Sequence, residues 1–176
     1  MRPLGRPTAV VLVSLGAVHP RLLQEAGEGL LETLAVAPRA GPSLERPQYA
    51  FNKDRSQYHA TSILRRLATL RAKDAPVVGI LDVDLFLPDA AYVIGDADRD
   101  AGAAVFSLAR LASGDPDVLR RRARVETIHA AGHLLGLSHC GDFHCAMFFS
   151  RDAADCDRKR VGLCAACRAA LGLPSR

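Results

Sequence analysis

Apolar residues crowd together from Ala9 to Val13 and again from Val77 to Leu81. Short, β-branched runs of this kind predict buried strands. The first strand is placed at about Thr8 to Leu15. A later one is placed at about Val77 to Phe86, where Asp82 and Asp84 alternate with Val83 and Leu85. Between them, Pro20 opens a helix whose apolar positions are Leu22, Leu23, Ala26, Leu30, Leu31 and Leu34. The stretch from Pro38 to Asp54 is punctuated by proline and glycine and predicts a loop or an irregular edge segment. Ser56 predicts the N-cap of a second helix, with Ile63, Leu64, Leu67 and Leu70 facing inward. Ala91 to Gly95 and Ala103 to Leu108 read as two more strands, separated by an acidic turn from Asp96 to Gly102. A long helix then starts at Asp115 as N-cap, with Pro116 in its first turn and Asp117 at the positive end of its dipole, and runs to about Leu135. A short helix from about Cys164 to Leu171 follows near the end. Strands alternating with helices predict an α/β fold, a twisted mixed sheet with flanking helices.

Composition narrows this picture. A chain of 176 residues suits a single domain, divided by a cleft into an upper lobe of about residues 1–136 and a lower lobe of about 137–176. A hydrophobic content of 49% argues against disorder. The net charge of +4 is mild, and the basic run Arg120-Arg121-Arg122 with Arg124 reads as the solvated face of the long helix. Only 5% of residues are aromatic and none interleave with that run, which argues against a nucleic-acid surface. Arg2 and Arg6 before the first apolar run resemble a secretory leader, but the run is short and β-branched and a proline-initiated helix follows at once. No stretch is long enough to span a membrane. The expectation is a cytoplasmic monomer with no nucleic-acid or membrane partner.

The chemistry concentrates in His129-Ala130-Ala131-Gly132-His133-Leu134-Leu135-Gly136-Leu137-Ser138-His139-Cys140. Residues four apart share a helix face, so His129 and His133 can aim at one metal. Gly136 is suited to a left-handed turn that ends the helix, and His139 can then swing in as a third ligand. Three protein ligands with a fourth position open describe a catalytic zinc site. Directly after His139 come Cys140 and Cys145, and further on Cys164-Ala165-Ala166-Cys167. Two thiolate pairs of this spacing match a closed, structural zinc site. Two disulfides are the rival, but nothing else points to an oxidising compartment, and Cys156 would be left over. A redox C-x-x-C is another rival, weakened by the three neighbouring cysteines.

The run from His129 to Cys167 resembles the archaemetzincin family of zinc metallopeptidases, whose pattern is H-E-x-x-H-x-x-G-x-x-H, then a Cys, a C-x-M and a later C-x-x-C. The resemblance implies a zincin-like α+β fold with an active-site helix. It implies two zincs: a catalytic one on His129, His133 and His139, and a structural one on Cys140, Cys145, Cys164 and Cys167. Met147, in Cys145-Ala146-Met147, would be the methionine of the turn beneath the catalytic metal. Asp157-Arg158-Lys159, Gln57-Tyr58-His59, Asp82 to Phe86 and Val105 to Leu111 are also similar to family segments. The last strand before the zinc helix would be antiparallel and line the cleft, where a peptide or protein substrate could pair with it.

One position departs from the pattern. The family's glutamate, the general base that moves a proton from the zinc-bound water to the leaving amine, is Ala130 here. Losing a positioned base costs ~10²–10⁴ in rate. Two origins stay open, a natural variant of low or altered activity or a substituted position. Glu126 lies three residues before His129 on the same face, a turn too early to replace the base, and reads as a supporting residue. His144 and Asp142 read as loop residues. Asp82 and Asp84 read as structural carboxylates in preference to a cation site. The leading reading is a zinc metallopeptidase impaired at its base; the alternatives are a zinc-binding pseudoenzyme that holds peptide and an interaction module with two structural zincs.

Overall fold

The computed structural model describes residues 6–72 and 74–174. Arg2, placed by the sequence ahead of the first apolar run, lies outside the described residues. The elements in chain order are β1 (Ala9–Leu15), α1 (Pro20–Gly27), α2 (Leu30–Leu34), β2 (Ala37–Leu44), β3 (Phe51–Asn52), β4 (Gln57–His59), α3 (Ala60–Ala68), β5 (Val77–Leu81), β6 (Leu85–Leu87), β7 (Ala90–Val93), β8 (Gly95–Asp98), β9 (Ala103–Ser107), α4 (Pro116–Leu134), α5 (Ala153–Arg158) and α6 (Ala165–Ala170). Two mixed sheets form. The larger has the order β2-β1-β5-β9-β8 and the smaller the order β3-β4-β6-β7. In the larger sheet only the β8–β9 pair is antiparallel.

The period of two along the central strands sorts the core. Val10, Leu12, Val78, Ile80, Ala104 and Phe106 pack on one side, with α4 residues Ile128 and Ala131. Val13, Leu15, Val77, Leu81, Ala103 and Val105 pack on the other, with Ile63 and Leu67 of α3. Strands covered on both faces need continuous apolar sequence, which is why β5 and β9 are buried at every position.

Several sequence expectations are corrected. The first helix is two, because Gly29 takes a left-handed φ of 89° and breaks the run between Gly27 and Leu30. The expected loop from Pro38 begins as strand β2. Pro38 and Pro42 survive there because β2 is the sheet edge and carries one unpaired side. Ser56 is not the N-cap of α3; His59 is, and Gln57–His59 is a strand. The single strand expected to Phe86 divides at Asp82, and β6 joins the other sheet. The acidic stretch Asp96 to Gly102 is half strand, with Asp96 and Asp98 on edge strand β8. Edge strands carry charge readily, which hides them from hydrophobic patterning. The strand before α4 is also corrected. Strand β9 is parallel to β5 and buried; the antiparallel strand is β8.

Asp82 and Asp84 mark the point where the chain changes sheet. Arg46 donates to Asp82 Oδ2 at 3.0 Å, and Arg110 holds both oxygens of Asp84 at 2.7 and 2.8 Å. Each carboxylate is engaged by its own guanidinium. The basic face of α4 is likewise not simply solvated. Arg122 grips Asp157 of α5 at 2.7 and 2.8 Å, Arg120 reaches Glu25 at 3.8 Å, and Arg124 pairs with Glu28. These arginines tie the long helix to α1 and to the C-terminal segment.

Candidate metal centre

Helix α4 begins as its caps dictate. Asp115 accepts a hydrogen bond from the Asp117 N–H at 2.8 Å, and Pro116 sits in the first turn. It ends at Leu134, and Gly136 follows in the left-handed region with φ 100°. That conformation alone would favour glycine, and the Arg99 guanidinium adds a second reason. A Cβ at Gly136 would lie 2.9 Å from Arg99 Cζ.

The turn at Gly136 brings His139 back over the helix. Its ring centroid lies 5.3 Å from that of His129 and 4.8 Å from that of His133. One ring nitrogen of each of the three histidines falls within 4.8 Å of the others. The tautomers follow from the partners. His129 Nδ1 faces the Ala146 carbonyl at 2.8 Å, and His133 Nδ1 faces the Leu137 carbonyl at 2.8 Å. A carbonyl oxygen only accepts, so each Nδ1 carries its proton and each Nε2 presents a lone pair. Those two Nε2 atoms stand 3.0 Å apart. Two lone pairs at that separation repel unless a cation lies between them, so the donor set fits a metal such as zinc.

Burial pushes the His129 imidazole down to about 4, and burial also lowers His133 and His139. All three rings are therefore neutral and able to coordinate at neutral pH. The sign for stability follows. A histidine with a depressed folded value binds fewer protons folded than unfolded, so the folded state weakens as pH falls. Metal-free protein is expected to lose stability as pH drops from about 6.5 toward about 4. Chemical denaturation at stepped pH, with His129 followed by NMR, checks this. A His129 midpoint at the ordinary value would contradict it.

Met147 is fully buried. Its Sδ comes so close to the helix that a Cβ at Gly132 would lie 2.4 Å away. Phe149 lies beside His139, with ring centroids 5.1 Å apart. The histidines open into a cleft of about 690 Å³, lined on one side by α4 and on the other by Ile94 and by Gly95, Asp96 and Ala97 of edge strand β8. Ala130, at 5% exposure, lines the same cleft. Glu126 lies deeper in it, and its Oε1 accepts from Ser150 Oγ at 2.8 Å and from Lys159 Nζ at 3.1 Å. Burial alone would raise the Glu126 carboxyl; the Lys159 ammonium, His129 and these hydrogen bonds outweigh it and hold the group below the ordinary carboxylate range.

The four expected thiols also converge. Sulfur atoms of Cys140, Cys145, Cys164 and Cys167 all lie within 4.8 Å of one another, and none forms a disulfide. Cys140 and Cys164 Sγ are 3.7 Å apart. Backbone N–H groups of Asp142 and Cys164 donate to Cys140 and Cys145 sulfur at 3.4 and 3.3 Å. Burial raises Cys145 and Cys167, so both favour the neutral thiol, and their loss of protons to act as ligands would need a cation beside them. Cys156 stands apart, buried against α4. His144 remains an exposed loop residue, 3.8 Å from Asp142.

A profile of Peptidase family M54 matches residues 37–172. An archaemetzincin of Methanopyrus kandleri is 33% identical over 153 residues, 87% of this chain and 85% of the relative. The chain belongs to the archaemetzincin family of zinc metallopeptidases. An archaemetzincin of Methanocaldococcus jannaschii is 39% identical over 132 residues, covering 72% of each chain. The crystal structure of the Methanopyrus kandleri archaemetzincin superposes with a TM-score of 0.85 at 30% identity, covering 98% of this chain and 97% of that one. A zinc-dependent peptidase from Methanocorpusculum labreanum superposes with a TM-score of 0.82 at 26% identity, covering 92% and 99%. The archaemetzincin fold thus spans the described chain.

Three features of this archaemetzincin cleft were not found by sequence reading. The sequence pattern places Asp96 and Arg99 in a turn and gives Phe149 no role, although it lies two residues past Met147. A signal existed for Phe149 alone, as one of the two phenylalanines that directly follow the C-x-M. Among the described residues, no helix is long and apolar enough to cross a membrane.

Proposed function

We propose that this archaemetzincin carries two zincs per chain and acts on peptide or protein substrates with weak or absent hydrolysis. The catalytic-type zinc is assigned to His129, His133 and His139, the structural one to Cys140, Cys145, Cys164 and Cys167. The observation that carries the reading is Ala130. Its methyl group lines the cleft beside the three rings, and a methyl can neither take a proton nor orient a water. The other carboxylates lining the cleft do not replace it. Glu126 is engaged by Lys159 and Ser150, Asp89 sits in the turn between β6 and β7, and Asp96 lies on β8 with its Oδ1 accepting from the Ala97 N–H at 2.9 Å. Zinc, when bound, polarises a carbonyl and acidifies water. The chain's own residues do the rest. The Ala146 and Leu137 carbonyls hold the His129 and His133 rings in the metal-binding tautomer. The free edge of β8 offers main-chain groups to an extended peptide as an added strand. The two lobes, about 1–136 and 137–176, meet at this cleft.

Peptide binding without turnover is the second reading, and the same Ala130 favours it. Zinc content and cleavage separate the two. Protein dialysed against a mild chelator is expected to keep the thiolate zinc and lose most of the histidine zinc, because a metal-bound water has no Ala130 carboxylate to hold it. Full retention at both sites would count against the assignment. Cleavage of a mixed peptide library by the reloaded protein supports residual enzyme activity; saturable peptide binding without cleavage supports the pseudoenzyme.

A further inference from the structure

The motif Asp157-Arg158-Lys159 has so far been only a likeness. The structure gives its last residue a distinct place. Lys159 is one of three lysines among 23 basic residues in a chain that otherwise relies on arginine. Its side chain is 0% exposed. The ammonium makes two contacts, Glu126 Oε1 at 3.1 Å and the Ala146 carbonyl at 3.1 Å. That same carbonyl accepts from His129 Nδ1 at 2.8 Å. A carbonyl oxygen has two lone pairs, and here the imidazole and the ammonium take one each.

We propose that Lys159 is a positioning residue for the histidine cluster, which fixes the Ala146 carbonyl against His129 Nδ1 and keeps the Glu126 carboxylate turned away from the metal position. This rests on the reading of His129, His133 and His139 as metal ligands.

Three facts argue for the role. First, Glu126 lies three residues before His129 and so projects from the same face of α4. Left alone, its carboxylate would compete with the Ala146 carbonyl for the Nδ1–H, or with the imidazoles for the metal. Lys159 and Ser150 occupy it instead. Second, the Ala146 peptide is held from both ends. Its N–H donates to Gly162 at 2.9 Å, and its carbonyl takes the two donors just described. The Lys159 backbone is anchored in turn by Cys156 at 3.2 Å and by the Arg121 guanidinium. Third, a fully buried ion pair is a poor way to gain stability, since apolar residues of similar volume usually serve as well or better. A pair placed here is better explained by what it orients. A lysine suits the place because its ammonium is compact and its donors diverge, whereas an arginine presents a flat fork.

The test separates orientation from stability. Lys159→Met with Glu126→Met removes both charges and leaves only the Ser150 hydroxyl without its partner. Its melting temperature is expected to stay near the parent's or to rise. Its cobalt(II) affinity at the histidine cluster, measured against a competing chelator, is expected to fall roughly 10–100-fold, the usual effect of losing a hydrogen-bonding partner behind a metal ligand. Cobalt at the thiolates, read by its sulfur charge-transfer band, should be unchanged. In metal-free protein, nitrogen-15 NMR should find the Nδ1–H tautomer of His129 in the parent and a mixture of tautomers in the variant. Unchanged affinity with an unchanged tautomer overturns the proposal. If the parent binds no cobalt at the histidines, the metal reading fails on its own, and the tautomer comparison still decides the positioning role. The tautomer of the unsubstituted protein needs no variant: a His129 ring that carries its proton on Nε2 overturns the proposal, even if the double variant does not fold.

Discussion

Replacing Ala130 with glutamate is expected to raise peptide hydrolysis by roughly 10²–10⁴-fold. That gain corresponds to about 3–5 kcal/mol of barrier. Little else in the cleft has to change. The three imidazoles already converge to within 4.8 Å, and two of them are locked in the metal-binding tautomer by carbonyls at 2.8 Å. Position 130 lines the cleft, so a longer side chain has an open direction in which to extend. The helix accepts glutamate almost as well as alanine, to within a few tenths of a kcal/mol. The assay is a mixed peptide library with added zinc, read by mass spectrometry. The gain should disappear when His133→Ala is added, because a base without a metal-held water has nothing to activate. If Ala130→Glu binds metal at both clusters and cleaves nothing, the cleft itself has diverged, and the peptide-binding reading takes the lead.

Removing one thiolate should have the larger effect on folding. Cys164→Ser is expected to cost one zinc per chain and most of the order of the segment beyond α4. Structural zinc sites contribute on the order of 10 kcal/mol of apparent folding free energy. This segment has little to replace it. Among the described residues, its own buried cluster is Leu137, Cys145, Met147 and Cys167, with Leu163 and Leu171 partly buried against it, and two of the four are the proposed ligands themselves. The damage should also spread. His139 is bonded to Cys140, and the Cys140 N–H donates to the Met147 carbonyl at 2.9 Å. The histidine cluster should therefore lose affinity along with the thiolate zinc. Calorimetry and metal analysis of the variant check both expectations. A melting profile and zinc content equal to the parent's would defeat the structural assignment.

What the sequence made legible, and what it concealed, follows from the range of the interactions involved. His129 and His133 are four residues apart on a helix, and Gly136 carries its turn in its own chemistry, so the cluster could be read locally. The helix itself was announced by Asp115 and Pro116. The division of the expected strand at Asp82 could not be read that way. It depends on Arg46 and Arg110, 36 and 26 residues from the carboxylates they hold. Strand β8 was concealed for a different reason. An edge strand needs no apolar face, and Asp96 and Asp98 look like a turn until β9 is beside them. The spacing of Glu126 from His129 suggests a supporting residue, but its partner Lys159 is 33 positions away, and no periodicity links them.

The direct succession of His139 and Cys140 has a practical use. Consecutive Cα atoms are about 3.8 Å apart, so the ion positions proposed for the two clusters lie no farther apart than that step and the reach of one histidine and one cysteine side chain. An unpaired-electron ion such as cobalt(II) seated among the sulfurs should shift and broaden the ring signals of His139 most, with His129 and His133 after it. Loading of one pocket can then be followed from the resonances of the other, without cleaving a peptide or adding a label.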